Sequence, residues 1–171
     1  NGQISLDMIE KKISSKTKMA CITHMSNVFG SILDVKKICK VLKERGIVTV
    51  LDGSQAIVHL EINVEDIGCD FYTFTGHKLF GPTGTGVLYV NKKRINEMVP
   101  FNGGGEMIKS VTKDDVIYNK SPFLFEAGTP GIAEIIGLGA AIDFVQNLDR
   151  KSVLEYEMSI SDYTRTELEK L

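Results

Sequence analysis

The 171-residue sequence has no tryptophan, four prolines, three histidines and three cysteines. No apolar run approaches the roughly 18 residues needed to span a bilayer, and Asn1-Gly2-Gln3-Ile4 carries neither the basic segment nor the apolar core of a secretory signal. The expectation is a cytoplasmic chain with no membrane partner. Cys21, Cys39 and Cys69 are odd in number and form no C-x-x-C pair, which argues against both a disulfide framework and a cysteine zinc site. Each sits among apolar neighbours and is expected to be a buried, inert thiol. An excess of one charge is also lacking: 20 basic against 22 acidic residues leave a formal net charge of −2, with no basic face for nucleic acid. The glycine-rich stretch 81–86 does not end in the Gly-Lys-Ser/Thr of a nucleotide phosphate loop, and no G-x-G-x-x-G follows the first predicted strand. No metal site is expected.

What is present is an ordinary globular balance, 43% hydrophobic and 25% charged, in a chain long enough for one domain that buries roughly two-thirds of its unfolded surface. Ser5 is placed to cap a short helix with Leu6, Ile9 and Ile13 on one face. Residues 19–23 and 47–51 are mostly apolar runs, as expected of strands buried on both faces. Between them Asp34 opens a helix whose Val35, Ile38, Cys39 and Leu42 recur at helical spacing, and Gly46 stops it. Its lysines, 36, 37, 40 and 43, face outward as a solvated surface. A helical turn at 63–67 leads to a third strand, 71–75. Strand, helix, strand, short helix, strand predicts a parallel sheet with right-handed crossovers, so the carboxyl ends of the three strands share one edge. A fourth strand, 86–90, follows a loop too short for a crossover helix and must run antiparallel. Beyond it the pattern predicts a short helix at 94–99 and a flexible loop around Gly103-Gly104-Gly105. It then predicts a long apolar helix capped by Thr129 and opened by Pro130, and a last helix from Ser152 with Glu155 completing a capping box.

The shared edge collects chemistry. Asn27 follows the first strand, Asp52 and Gln55 the second, and Thr75, His77 and Lys78 the third, with Gly76 allowing a sharp turn. Open α/β sheets bind ligands at such an edge. A lysine followed by the apolar pair Leu79-Phe80 is expected to be partly desolvated, which would suit Schiff-base chemistry. Taken alone, Lys78 also reads as a solvated charge, and Asp52-Gly53 and Gly81-Pro82-Thr83-Gly84 as ordinary turns. Together, a lysine amine, an aspartate and side-chain amides suit pyridoxal phosphate, which needs a lysine partner and an acid for its ring nitrogen. His59 has no evident partner and reads as structural.

Four segments carry a resemblance: residues 23–28 (Thr-His-Met-Ser-Asn-Val), 52–56 (Asp-Gly-Ser-Gln-Ala), 73–84 (Thr-Phe-Thr-Gly-His-Lys-Leu-Phe-Gly-Pro-Thr-Gly) and 125–130 (Phe-Glu-Ala-Gly-Thr-Pro). They resemble the cysteine desulfurase and selenocysteine lyase branch of the class V aminotransferases, which are fold type I enzymes dependent on pyridoxal phosphate. The resemblance implies a three-layer α-β-α fold with a mostly parallel sheet and one antiparallel strand. It also implies that Lys78 carries the cofactor, that Asp52 pairs with its ring nitrogen, that Asn27 and Gln55 contact its phenolic oxygen and that Thr75 and His77 hold its phosphate. Thr129 would reach the phosphate of the second subunit's cofactor in a homodimer. The implied reaction converts L-cysteine to L-alanine, with Lys78 removing the alpha proton and sulfur leaving to a nucleophilic cysteine as a persulfide. That sulfur passes to an acceptor protein for iron–sulfur cluster assembly. The resemblance places the ring-stacking histidine and a phosphate loop before Asn1, and the persulfide cysteine and substrate-binding arginine after Leu171. Residues 1–171 then read as a partial cofactor-binding large domain, inactive in isolation. A selenocysteine lyase, another class V aminotransferase and a non-catalytic assembly subunit on the same fold are the alternatives.

Overall fold

The computed structural model describes residues 3–171; Asn1 and Gly2 lie outside the described residues. Four strands form the main sheet in the order β1 (Met19–Thr23), β2 (Val48–Asp52), β3 (Phe71–Thr75) and β4 (Gly86–Val90). The first three are parallel and β4 is antiparallel to β3, the arrangement expected from the connection lengths. Helices flank the sheet, so the class is α/β.

Helix α1 (Leu6–Glu10) begins where Ser5 accepts from the Met8 amide. Helix α2 (Val35–Glu44) begins at Asp34, whose carboxylate accepts from Lys37 N at 3.0 Å, and it ends at Gly46 with φ 67°. Its stripe of Val35, Ile38, Cys39 and Leu42 is buried against Leu51 and Tyr72, which pair across β2 and β3 and so share a face of the sheet. This is the core. The opposite side of β1 carries Met19 and Cys21, both exposed. The expectation that β1 is covered on both faces, and that Cys21 is buried, is therefore not met in this chain; Cys39 and Cys69 are buried as expected. Burial raises both of those thiols, Cys69 to about 11, so they stay protonated and inert.

A network at the far end of the sheet fixes the start of β3. Asp70 accepts from the amide and hydroxyl of Thr49 at 2.9 and 3.2 Å and from Arg94 Nε at 2.8 Å. Thr49 in turn accepts from Asp70 N at 2.9 Å. Burial alone would raise the Asp70 carboxyl, but the Arg94 guanidinium and the Thr49 donors outweigh it and hold the group below the usual carboxylate range. By contrast, the ion pair between Lys36 and Asp66, with side chains 62% and 60% exposed, is of the kind that contributes about 0–1 kcal/mol.

Several elements depart from expectation. The sequence pattern does not predict helix α3 (Ala56–His59), whereas α4 (Val64–Ile67), capped by Asn63, is the expected helical turn. Helix α5 (Lys92–Ile95) starts earlier than expected because the Asn91 side chain accepts from Lys93 N. Within the glycine run at 103–105, Gly104 is closely packed, since an added Cβ would lie 2.6 Å from the Ala127 carbonyl carbon, whereas Gly103 and Gly105 meet nothing within 4 Å; Met107, just beyond, is buried. An unanticipated hairpin follows, β5 (Ile108–Val111) with β6 (Val116–Tyr118). Helix α6 (Ile132–Gln146) is capped by Gly131 rather than Thr129, with no side-chain cap bond, because Pro130 and Gly131 remain outside the helix. Helix α7 (Arg150–Leu168) is capped by Asp149, not Ser152. The Asp149 carboxylate accepts from Lys151 N and from the hydroxyl of Ser152, which places Ser152 within the first turn.

Candidate active site

The register across the sheet builds the site. Thr23 pairs with Asp52, and Asp52 with Thr73, so the segments that leave β1, β2 and β3 emerge together at one edge. Parallel pairing is what brings residues about 50 positions apart into one neighbourhood.

After β1 the chain enters a tight turn in which Ser26 Oγ accepts from the amides of Val28 and Phe29 at 3.2 and 3.1 Å. Asn27 is exposed in that turn. After β2, Asp52 Oδ1 accepts from Ser54 N at 2.9 Å, which fixes the carboxylate's orientation and leaves its other oxygen without that constraint. Gln55 stands at the start of α3, half-buried, and makes no side-chain cap bond, so its amide is not consumed in holding the helix.

After β3 the chain forms a 3-10 turn, Gly76–Leu79. Glycine is required at 76 by close approach: an added Cβ would lie 2.1 Å from Thr85 Oγ1 and 3.2 Å from Leu138 Cδ1. The strained position of the turn is Phe80, at φ 60°, not Gly76. Leu79 is buried, but Phe80 is 64% exposed and packs edge-on against Phe144 with ring centroids 5.7 Å apart. The expected apolar pair beside Lys78 is thus half realised, with Leu79 alone turned inward. Lys78 is half-buried. Thr75 Oγ1 and His77 Nδ1 lie 2.8 Å apart, on either side of Gly76.

Thr129 is exposed in the segment ahead of α6 and does not cap that helix. Within one chain it belongs to a different segment from the strand-end residues. Among the described residues no cluster of histidine, cysteine or carboxylate side chains has the arrangement of a metal site.

Two features of the edge escaped the sequence reading. His24, directly after β1, and Tyr72, inside β3, are both buried and hydrogen-bonded, Nδ1 to the phenolic oxygen at 3.0 Å. The tyrosine ring lies over Gly53, where a Cβ would come within 2.1 Å of it. Gly53 therefore serves close packing, and the only sequence signal was a large aromatic on the core side of β3. The second is Arg150, whose guanidinium donates to the carbonyls of Ile57, Val58 and Leu60 at 3.0, 3.1 and 2.9 Å. It closes the carboxyl end of α3, and Glu157 meets His59 Nδ1 at 3.0 Å alongside. His59 thus has a partner, 98 residues away, which no local pattern could reveal.

The site thus stands on a mostly parallel sheet with one antiparallel edge strand, with a lysine in the turn after its third strand. The chain belongs to the aminotransferase class-V family, whose model it matches over residues 1–171. It is 46% identical over all 171 residues to a probable cysteine desulfurase of Xylella fastidiosa and 40% identical over 170 residues to a cysteine desulfurase of Escherichia coli O7:K1. It superposes on the crystal structure of the Escherichia coli cysteine desulfurase CsdA with a TM-score of 0.92 and 34% identity, covering 97% of this chain and 42% of that one. The chain spans 41% of the Xylella relative's length and 42% of the Escherichia coli O7:K1 relative's.

Proposed function

We propose that the intact protein is a cysteine desulfurase dependent on pyridoxal phosphate, converting L-cysteine to L-alanine and passing the sulfur, as a persulfide, to an acceptor protein that feeds iron–sulfur cluster assembly. It works as a cytoplasmic homodimer. The observation that supports this reading most directly is the convergence of Asn27, Asp52, Gln55, Thr75, His77 and Lys78 on one sheet edge. Family membership and the desulfurase relatives point the same way.

The donor set fits the cofactor. A half-buried lysine in a rigid turn offers an amine for the aldehyde, and a carboxylate held by the Ser54 amide offers a partner for the ring nitrogen. The Thr75 hydroxyl and His77 Nδ1, paired at 2.8 Å, offer a donor for a phosphate oxygen: the hydroxyl proton where Nδ1–H donates to Oγ1, or Nε2–H where the hydroxyl donates to Nδ1. When bound, pyridoxal phosphate supplies an electron sink for the carbanion formed at the substrate's alpha carbon. Asp52 would hold the proton on the ring nitrogen, and Asn27 and Gln55 would donate to the phenolic oxygen. The Lys78 amine would take the proton from the alpha carbon and return one to form alanine. Thr129 of a second copy would complete the phosphate site.

Borohydride reduction of the intact protein, followed by peptide mapping, tests the central assignment. The pyridoxyl mark is expected on Lys78. A mark on any other lysine overturns the reading.

A further inference from the structure

We propose that the buried His24–Tyr72 pair is a positioning device that sets where Asp52 holds its carboxylate. The inference rests on the reading of Asp52 as the cofactor's partner. Its basis is a closed frame around the end of β2. The His24 amide donates to the Asp52 carbonyl at 2.8 Å, and the Gly53 amide donates to the Thr73 carbonyl at 2.8 Å, so the backbone on each side of the Asp52–Gly53 peptide is tied to a different neighbouring strand. The side chains close the same frame. Tyr72, adjacent to Thr73, lays its ring on Gly53 and reaches across to His24 Nδ1 at 3.0 Å. The two rings meet edge to face, 89° apart, with centroids at 6.0 Å. Tyr72 is 1% and His24 6% exposed, so removing one partner leaves the other's polar atom buried without this bond.

The pair also keeps the interior beside Asp52 free of a second charge. Burial lowers the pKa of His24 and raises that of Tyr72, to which the neighbouring Cys69 and then the Asp52 charge add. A phenol and a neutral imidazole share one hydrogen bond with no net charge, whichever ring tautomer donates or accepts. The Asp52 carboxylate, fixed by Ser54 N on one oxygen, is thus carried on a backbone that neither slides along β1 nor lifts from β3. Outer partners that orient the ligands of a metal site typically change affinity or activity by about 10–100-fold when removed, and the pair behind Asp52 is expected to act on the lower end of that scale.

The test uses three variants of the intact protein loaded with pyridoxal phosphate. Tyr72→Phe keeps the ring on Gly53 and removes only the hydroxyl. His24→Leu removes the partner, and His24→Asn offers a polar atom near the Nδ1 position. The expected result is a kcat for cysteine lowered about tenfold in Tyr72→Phe and His24→Leu, with KM within about twofold, a shifted visible absorption band, and partial recovery in His24→Asn. A purely structural pair would lower thermal stability while leaving kcat and the band unchanged, and that outcome overturns the proposal. Borohydride labelling on all proteins separates the two layers. A label on Lys78 with unaltered kinetics and spectra in the variants rejects the positioning role alone, whereas absence of label from Lys78 in the unsubstituted protein rejects the underlying site as well.

Discussion

The hydroxyl of Thr75 and Nδ1 of His77 are 2.8 Å apart across a glycine that admits no side chain. The pair is set by the backbone before any ligand arrives, so the donor it leaves free needs little ordering to meet a phosphate. Thr75→Val keeps the shape and removes the hydroxyl. A hydrogen bond to a charged group contributes about 1.5–3 kcal/mol, so the affinity for pyridoxal phosphate should fall about tenfold or more. Titration of the cofactor-free intact protein by absorbance measures it, and an unchanged affinity would show that the pair only braces the turn.

Asp52→Asn separates the charge of this residue from its shape. The side-chain carbonyl of the substituted amide can still accept from the Ser54 amide, so the turn at 52–54 should survive and thermal stability should change by less than about 1 kcal/mol. A neutral amide does not hold a proton on the ring nitrogen, and turnover should drop by at least about a hundredfold while some cofactor is retained. Steady-state assay of alanine, with cofactor content measured on the same sample, decides the point. Near-normal kcat would reduce Asp52 to a turn residue.

Much of the frame was legible because its signals are local. The apolar stripe of α2 and its Asp34 cap, the runs that form β1 to β3 and the short loop that forces β4 antiparallel each occupy one stretch of chain. The site residues could be gathered at one edge from topology alone. What stayed hidden depends on partners remote in sequence. Helix α3 is closed by Arg150 from more than 90 positions away, and the need for glycine at 53 appears only once Tyr72 is laid over it. The β5–β6 hairpin escaped for a different reason. Its turn, held by Thr112 and Asp115, contains no glycine or Asn-Gly pair, and its strands are exposed rather than alternating between core and solvent. Two helix starts were misplaced because nearby residues compete to cap. At α7 a carboxylate at 149 displaced a serine at 152, and at α6 the backbone of Gly131 took the position assigned to Thr129.

Acid should loosen the sheet through Asp70. Its pKa in the folded protein lies below the unfolded value of about 3.9, so the stability it contributes is fully present above about pH 5 and is lost as pH falls through the folded pKa. Protonation then removes the charge that strengthens the bonds from Arg94 Nε to one carboxylate oxygen and from the Thr49 amide and hydroxyl to the other. Urea unfolding midpoints measured between pH 7 and pH 3 should fall at the acid end. Asp70→Asn should start lower at pH 7 and show a shallower acid decline. A parallel decline in both proteins would assign the acid sensitivity to other carboxylates.

Thr129→Ala now has a sharper outcome than the sequence offered. Had Thr129 been the cap of α6, its loss would cost about 1 kcal/mol, and any effect on the cofactor would be mixed with helix fraying. The cap is Gly131, and Thr129 is exposed, so the substitution should leave stability within about 0.5 kcal/mol. If Thr129 completes the phosphate site of a second copy, affinity for pyridoxal phosphate should fall severalfold at that unchanged stability. Mixed dimers distinguish a role in trans from one in cis. Pairing a Thr129→Ala subunit with a Lys78→Ala subunit leaves the intact lysine in the subunit whose phosphate would be held by the other's unaltered Thr129. That hybrid should bind one cofactor covalently with normal affinity, whereas a role in cis predicts weakened binding at the same lysine. Borohydride labelling of the hybrid across a range of cofactor concentrations reads the difference, and a monomeric protein with normal cofactor affinity would remove the proposal for Thr129 altogether.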